Sequence, residues 1–241
     1  MTGGVRPDAD RRAEIAAGLA DVRARIAGAC AAAGRDPAEI TLIGVTKTFP
    51  AADVRLLAGL GVTDVGENRD SEAAPKAQAC ADLPLTWHFV GQLQTNKVRS
   101  VAAYAHVVHS VDRARLVTAL AREAGRAGRT LTCLVQVNLD PDPEPGRGGA
   151  LPAEVPALAD AVAGAGPLRM GGLMAVAPLA ADPLEAFTRL QRVVADTRER
   201  HPGAEIVSAG MSGDLEQAIR CGATHIRVGT ALLGKRAGPV G

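Results

Sequence analysis

The stretch that decides the architecture is Thr41–Asn68, TLIGVTKTFPAADVRLLAGLGVTDVGEN. Two short, β-branched, apolar runs, Thr41–Lys47 and Val62–Asn68, flank Ala51–Leu60, whose apolar spacing is helical. Strands separated by a helix-length segment pair in parallel, because a hairpin cannot be made through a helix. The same unit repeats along the chain. Further strands are predicted at Thr86–Gly91 (TWHFVG), His106–Asp112 (HVVHSVD), Leu131–Leu139 (LTCLVQVNL), Leu168–Val176 (LRMGGLMAV), Glu205–Met211 (EIVSAGM) and His225–Leu233 (HIRVGTALL). Helical segments are predicted at Arg113–Ala127, Pro152–Ala165, Leu184–Arg200 and Leu215–Cys221. Upstream, Asp8–Ala33 places Ile15, Leu19, Val22 and Ile26 at helical spacing among charged residues, with a stop near Gly34.

Eight near-continuously apolar strands are buried on both faces. Eight βα units in 241 residues fit a (β/α)8 TIM-type barrel, an α/β fold whose members run to about 250 residues. A doubly wound open sheet is the alternative, but no GxGxxG opens the first βα turn. The expectation is one domain over residues 1–241, with an N-terminal helix at 8–34 and a barrel at 41–236. The Pro- and Gly-rich segment Asp140–Gly149 reads as a loop after strand five, on the carboxyl face where barrels build their sites.

Composition narrows the function. Lys plus Arg number 27 against 26 Asp plus Glu, a net charge of +1, so no electrostatic footprint for nucleic acid or an anionic membrane is present. Aromatic residues are 2% of the chain, too few for a stacking platform on single strands. Cys30, Cys80, Cys133 and Cys221 form no CxxC pair, which predicts reduced thiols in a cytoplasmic protein. No signal peptide, membrane span, metal-ligand spacing or GxSxG is found, so no metal is expected.

Chemistry in a barrel collects at the carboxyl ends of the strands. Lys47 closes strand one, where desolvation would free an amine for Schiff-base chemistry and snorkelling to solvent is the plainer fate. Glu67-Asn68 end strand two, His88 and Gly91 lie on strand three, and His109-Ser110 end strand four. Gly210-Met211-Ser212 end strand seven, and Arg227, Gly229 and Thr230 belong to strand eight and its turn. Turns after strands seven and eight often bind phosphate in barrels. Ser212 could equally be a helix N-cap and Gly229 a plain turn. Arg227, inside an apolar strand, needs an acceptor, either a ligand ring nitrogen or a barrel carboxylate. A lysine, a phosphate cradle and an arginine together describe a pyridoxal phosphate site.

The sequence also resembles the pyridoxal phosphate homeostasis protein family. The resemblance is carried by Gly44–Lys47 (GVTK), Gly66–Asn68 (GEN), Trp87–Lys97 (WHFVGQLQTNK), His109–Asp112 (HSVD), Gly172–Ala175 (GLMA), Gly210–Asp214 (GMSGD) and Arg227–Thr230 (RVGT). It implies a single barrel like the N-terminal domain of alanine racemase, with pyridoxal 5'-phosphate (PLP) held as a Schiff base on Lys47. It implies phosphate contacts from Ser212, Gly229 and Thr230, Arg227 facing the pyridine nitrogen, and Asn68, His88 and Met211 near the cofactor. It implies an intracellular carrier and regulator of vitamin B6, without established catalysis, that could hand PLP to PLP-dependent apo-enzymes; the oligomeric state is left open by the sequence, with a monomer expected over an oligomer. The loop after strand five departs from the family pattern, since Asn138 is followed here by the Pro-rich Asp140–Gly149. The alternative is a PLP-dependent amino-acid racemase of the alanine racemase type. That reaction needs a second acid/base opposite the lysine, and the one tyrosine, Tyr104, precedes strand four at the other end of the barrel.

Overall fold

The protein is described by a computed structural model that covers residues 8–140, 148–179 and 181–234. In chain order its elements are α1 (Asp8–Ala33), β1 (Thr41–Val45), α2 (Ala51–Gly59), β2 (Asp64–Glu67), α3 (Asp70–Ala79), β3 (Thr86–Phe89), α4 (Val98–Tyr104) and β4 (Val107–Val111). They continue with α5 (Ala114–Arg126), β5 (Leu131–Val137), α6 (Val155–Ala163), β6 (Leu168–Ala175), α7 (Pro183–Arg200), β7 (Ile206–Ser208), α8 (Leu215–Arg220), β8 (His225–Val228) and α9 (Thr230–Leu233). Each strand pairs in parallel with the next, and β8 pairs back onto β1, with Ile43 opposite Arg227, so the sheet closes into the expected (β/α)8 barrel. Most of the Pro-rich loop lies outside the described residues.

The main apolar core lies between strands and helices. Phe187, Leu116, Leu120 and Leu190 are buried there against Leu131, Val135 and Leu173. A smaller core under α2 and α3 gathers Val54, Val65, Cys80 and Trp87. Ile15, Leu19, Val22 and Ile26 of α1 are all buried, as the spacing predicts. That helix packs over α8 and α9, and so backs the last two turns of the barrel rather than standing apart. Gly18 makes the approach possible, because a side chain there would press on the Leu232 carbonyl. All four cysteines are free and buried. No helix among the described residues is long and apolar enough to cross a membrane.

Two helices escaped the periodicity reading. α3 (DSEAAPKAQA) is polar and carries Pro75 inside it, and α4 is only seven residues long. Strands β7 and β8 stop earlier than predicted, because the glycine-containing turns beyond them leave the ladder: Gly210 has φ of +91°, and Gly229 starts α9.

Candidate functional site

A cavity of about 500 Å³ opens at the carboxyl end of the barrel. Its walls include Lys47, Asn68, Met211, Ser212, Arg227, Gly229 and Thr230, together with Phe49, Val90, Gly91 and Val176. Seven of the eight residues singled out in the sequence therefore meet in one hollow. The exception is His88. Strand β3 ends at Phe89, and the residues that reach the cavity are Val90 and Gly91 beyond it. His88 lies one layer lower, with both ring nitrogens engaged, by His109 and Asp64. His109 is likewise buried inside the barrel and not on the rim.

Lys47 is two residues past β1, in a turn, and exposed. The strand ends at Val45, so the lysine takes the solvent-facing position that its sequence context gives as the plainer fate. Its amine makes no hydrogen bond or ion pair among the described residues. The turn beneath it is held firmly. Lys76 Nζ, buried on α3, donates to the Thr46 carbonyl at 2.8 Å and to Glu67 Oε1 at 2.7 Å. Thr46 Oγ1 donates to the same Glu67 oxygen at 2.6 Å. Burial pushes the Glu67 carboxyl up from its ordinary value, against the pull of Lys76 and Thr46. The next residue, Thr48, has φ of +69°, and its N–H donates to Glu72 Oε2 at 2.7 Å. A β-branched residue in that region is strained. Sequence reading missed this clamp, because its members lie on three separate segments and Lys76 looks like any helical lysine.

Across the cavity, two turns face Lys47. Ser212 precedes Asp214, which occupies the N-cap position of α8, so Ser212 is not the cap. Asp214 instead accepts from the Met211 N–H at 2.6 Å and shapes the turn. The Ser212 hydroxyl lies 3.4 Å from the Ala231 N–H in α9, which joins the two turns. The N–H groups of Ser212, Gly213, Gly229 and Thr230 donate to no other backbone group among the described residues. None of these four residues is buried, so their N–H groups stand open to solvent around one hollow, and clustered open backbone donors of this kind form an anion-binding nest. From behind, Arg25 of α1 donates to the Ser212 carbonyl at 2.9 Å while its other nitrogens grip Glu216.

Arg227 is buried beneath the nest. It donates to Ser208 Oγ at 2.6 Å and to the Ala175 carbonyl at 2.8 Å. Burial lowers its pKa to about 10, with Asp214 opposing, so it stays charged at neutral pH. The barrel carboxylate considered as its partner is not in hydrogen-bond contact with it. Asn68 Oδ1 is buried without a partner. Gly91 lets β3 turn beside it, since a Cβ there would collide with the Asn68 carbonyl. A free amine, an unpartnered amide oxygen, an arginine and an open nest of N–H groups are a donor set that fits a phosphorylated pyridine aldehyde.

Comparison with known proteins places the chain in a family. Residues 21–237 match the family described as alanine racemase, N-terminal domain. The pyridoxal phosphate homeostasis protein of Mycobacterium tuberculosis is 45% identical over 246 residues, covering 94% of this chain and 95% of that one. The protein of the same name from Escherichia coli is 37% identical, over 92% and 97% of the two chains. Among solved structures, PipY of Synechococcus elongatus with PLP bound superposes with a TM-score of 0.77 at 36% identity, over 91% of this chain and all of that one. Cavity, barrel and comparisons converge: the chain belongs to the pyridoxal phosphate homeostasis protein family, within the alanine racemase N-terminal-domain fold.

Proposed function

We propose that this chain binds PLP in the cavity at the carboxyl end of the barrel and serves to hold and release it, as a carrier in vitamin B6 homeostasis. The observation that carries the reading is the placing of one free lysine amine opposite an open nest of backbone donors, in a hollow large enough for a cofactor of this size. Lys47 would hold the aldehyde carbon covalently as a Schiff base, while Ser212, Gly213, Gly229 and Thr230 would receive the phosphate. Arg227 would face the ring nitrogen, and Met211 and Asn68 would bound the ring. When bound, PLP supplies an electrophilic imine and an electron sink. Arginine beside the ring nitrogen disfavours its protonation and weakens that sink.

A carrier is favoured over a racemase because, among the described residues, no tyrosine, histidine or carboxylate lines the cavity with Lys47. Tyr104 lies in a different groove, with Trp87, His106 and Arg129, and burial and neighbouring acids push its hydroxyl pKa up. A missing general acid–base group costs about 10²–10⁴-fold, so proton exchange at Cα of alanine should run at trace rates.

Borohydride treatment of the PLP-loaded protein, followed by peptide mapping, tests the reading. The adduct should lie on Lys47, and Lys47→Ala should abolish it. An adduct confined to Lys97 or another lysine overturns the assignment. Deuterium incorporation into alanine with chiral analysis, using Lys47→Ala as blank, tests the carrier role; turnover near about 1 s⁻¹ would make the protein an enzyme.

A further inference from the structure

Five side chains form an unbroken hydrogen-bonded chain through the barrel, from the cavity to the opposite mouth. Arg227 Nη1 lies 2.6 Å from Ser208 Oγ, and Ser208 Oγ lies 3.0 Å from His109 Nδ1. His109 Nε2 lies 2.9 Å from His88 Nδ1, and His88 Nε2 lies 2.9 Å from Asp64 Oδ1. His109 is on β4 and Ser208 on β7, which are not neighbours in the barrel, so their bond crosses the lumen. Four members are buried. Asp64, the first residue of β2, reaches solvent with 23% of its side chain.

Barrel interiors are normally filled with branched apolar side chains, and polar groups placed there must be satisfied. Here satisfaction has a direction. A guanidinium only donates. Ser208 accepts from it and has its own proton to give to His109 Nδ1. Burial holds His109 neutral, so its single proton sits on Nε2 and goes to His88 Nδ1. His88 then donates from Nε2 to Asp64. Burial pushes that carboxyl up, but the opposing contacts, the His88 hydrogen bond foremost, bring it below its ordinary value and keep it ionised. His225, whose ring is 6.3 Å from that of His88, has its pKa lowered to about 4 by burial and adds no charge at neutral pH. The opposite polarity would require His109 to donate to Ser208 and His88 to donate from Nδ1. His88 would then turn a bare nitrogen on a carboxylate or become a second cation in line with Arg227.

All four bonds thus donate toward Asp64, while Arg227 has no carboxylate in hydrogen-bond contact among the described residues. We propose that Asp64 is the remote counter-charge of Arg227, acting through His88, His109 and Ser208, and that this chain aims the guanidinium at the ring nitrogen of the ligand in the cavity. The ligand part of the inference rests on the PLP reading above. Polarised hydrogen-bond chains in a low-dielectric interior strengthen one another, which is how a carboxylate at one mouth acts at the other. Asp64, His88 and His109 are positioning residues: none of them lines the cavity.

Two measurements test it. Imidazole 15N–1H correlation spectra of ligand-free protein should show His88 and His109 both as Nε2–H tautomers. A proton on His109 Nδ1 overturns the chain's polarity with no cofactor involved. The second measurement compares PLP with its analogue bearing carbon in place of the ring nitrogen. Asp64→Asn should weaken PLP about three- to tenfold and leave the analogue unchanged, with Asp64→Glu restoring most of the loss. Equal weakening of both ligands, or no change in either, overturns the coupling, and the analogue excludes general damage to the fold. Failure of the wild-type protein to bind PLP would instead overturn the cofactor reading, which separates the two.

Discussion

Two buried charge systems flank the cavity and are built in opposite ways. Under Lys47, Lys76 and Glu67 touch directly at 2.7 Å and close around the Thr46 carbonyl. Under the phosphate nest, Arg227 touches no acid among the described residues, and its proposed counter-charge stands four hydrogen bonds away at the other mouth of the barrel. A direct ion pair concentrates its energy on geometry, and here the geometry fixed is one turn of backbone. A dispersed chain leaves the arginine's charge less neutralised where a ligand can meet it. The contrast separates two tasks of one site, placing a nucleophile and presenting a cation.

Breaking the direct pair should have the largest effect. Lys76→Met leaves Glu67 buried without its partner, which should cost about 3–5 kcal/mol in denaturant unfolding. The pH dependence follows from Glu67, whose pKa in the folded protein is already raised by burial. Removing Lys76 takes away a group that pulls it down, so the folded-state value rises further. Below the ordinary carboxylate value of 4.5 the group is neutral in both states and the penalty vanishes. As pH climbs through the raised value the penalty reaches its full size. The gap between variant and wild type should therefore narrow on acidification from neutral pH, and Lys76→Met/Glu67→Gln should recover most of the loss. A gap that widens on acidification would show that Glu67 is not the group left exposed to the change.

Much of this arrangement was legible in the sequence, and the unread part has a physical pattern. Periodicity reports which residues face apolar surroundings, so α1 and the eight strands were readable, whereas polar α3 with Pro75 was not. Strand ends identify rim residues, so Lys47, Ser212, Arg227, Gly229 and Thr230 could be chosen. Depth below the rim is not encoded in the same way. His88 sits only two residues before Val90, which lines the cavity, yet belongs to the interior chain. Bonds across the lumen, such as His109 to Ser208, join residues 99 positions apart with no spacing rule to announce them. The same holds for Arg25 behind Ser212, one arginine among several on α1.

A substitution that touches neither charge system sharpens the comparison. The Ser212 hydroxyl stands beside the nest and, among the described residues, accepts only a long bond from the Ala231 N–H. Ser212→Ala should weaken PLP about 10- to 100-fold, the size of one hydrogen bond to a charged group, while unphosphorylated pyridoxal is held as before. Isothermal titration with both ligands separates the outcomes. Equal loss for the two would mean that the serine shapes the turn and does not bind the anion.

The smallest expected effect tests what the clamp under Lys47 is holding. Thr48 sits at φ of +69°, where a β-branched residue pays about 1–2 kcal/mol, and the bond from its N–H to Glu72 helps keep it there. Thr48→Gly removes that strain but gives the unfolded chain more freedom, about 0.5–1 kcal/mol in the other direction. The net gain should be below about 1 kcal/mol, a rise of roughly 2–4 °C at most in Tm. PLP affinity should nevertheless fall a few-fold, because the amine of Lys47 would then swing on a glycine hinge. Stabilisation together with weaker binding is the signature of strain kept for positioning. Loss of stability by more than about 1 kcal/mol would show instead that the threonine side chain contributes more packing than its backbone costs in strain.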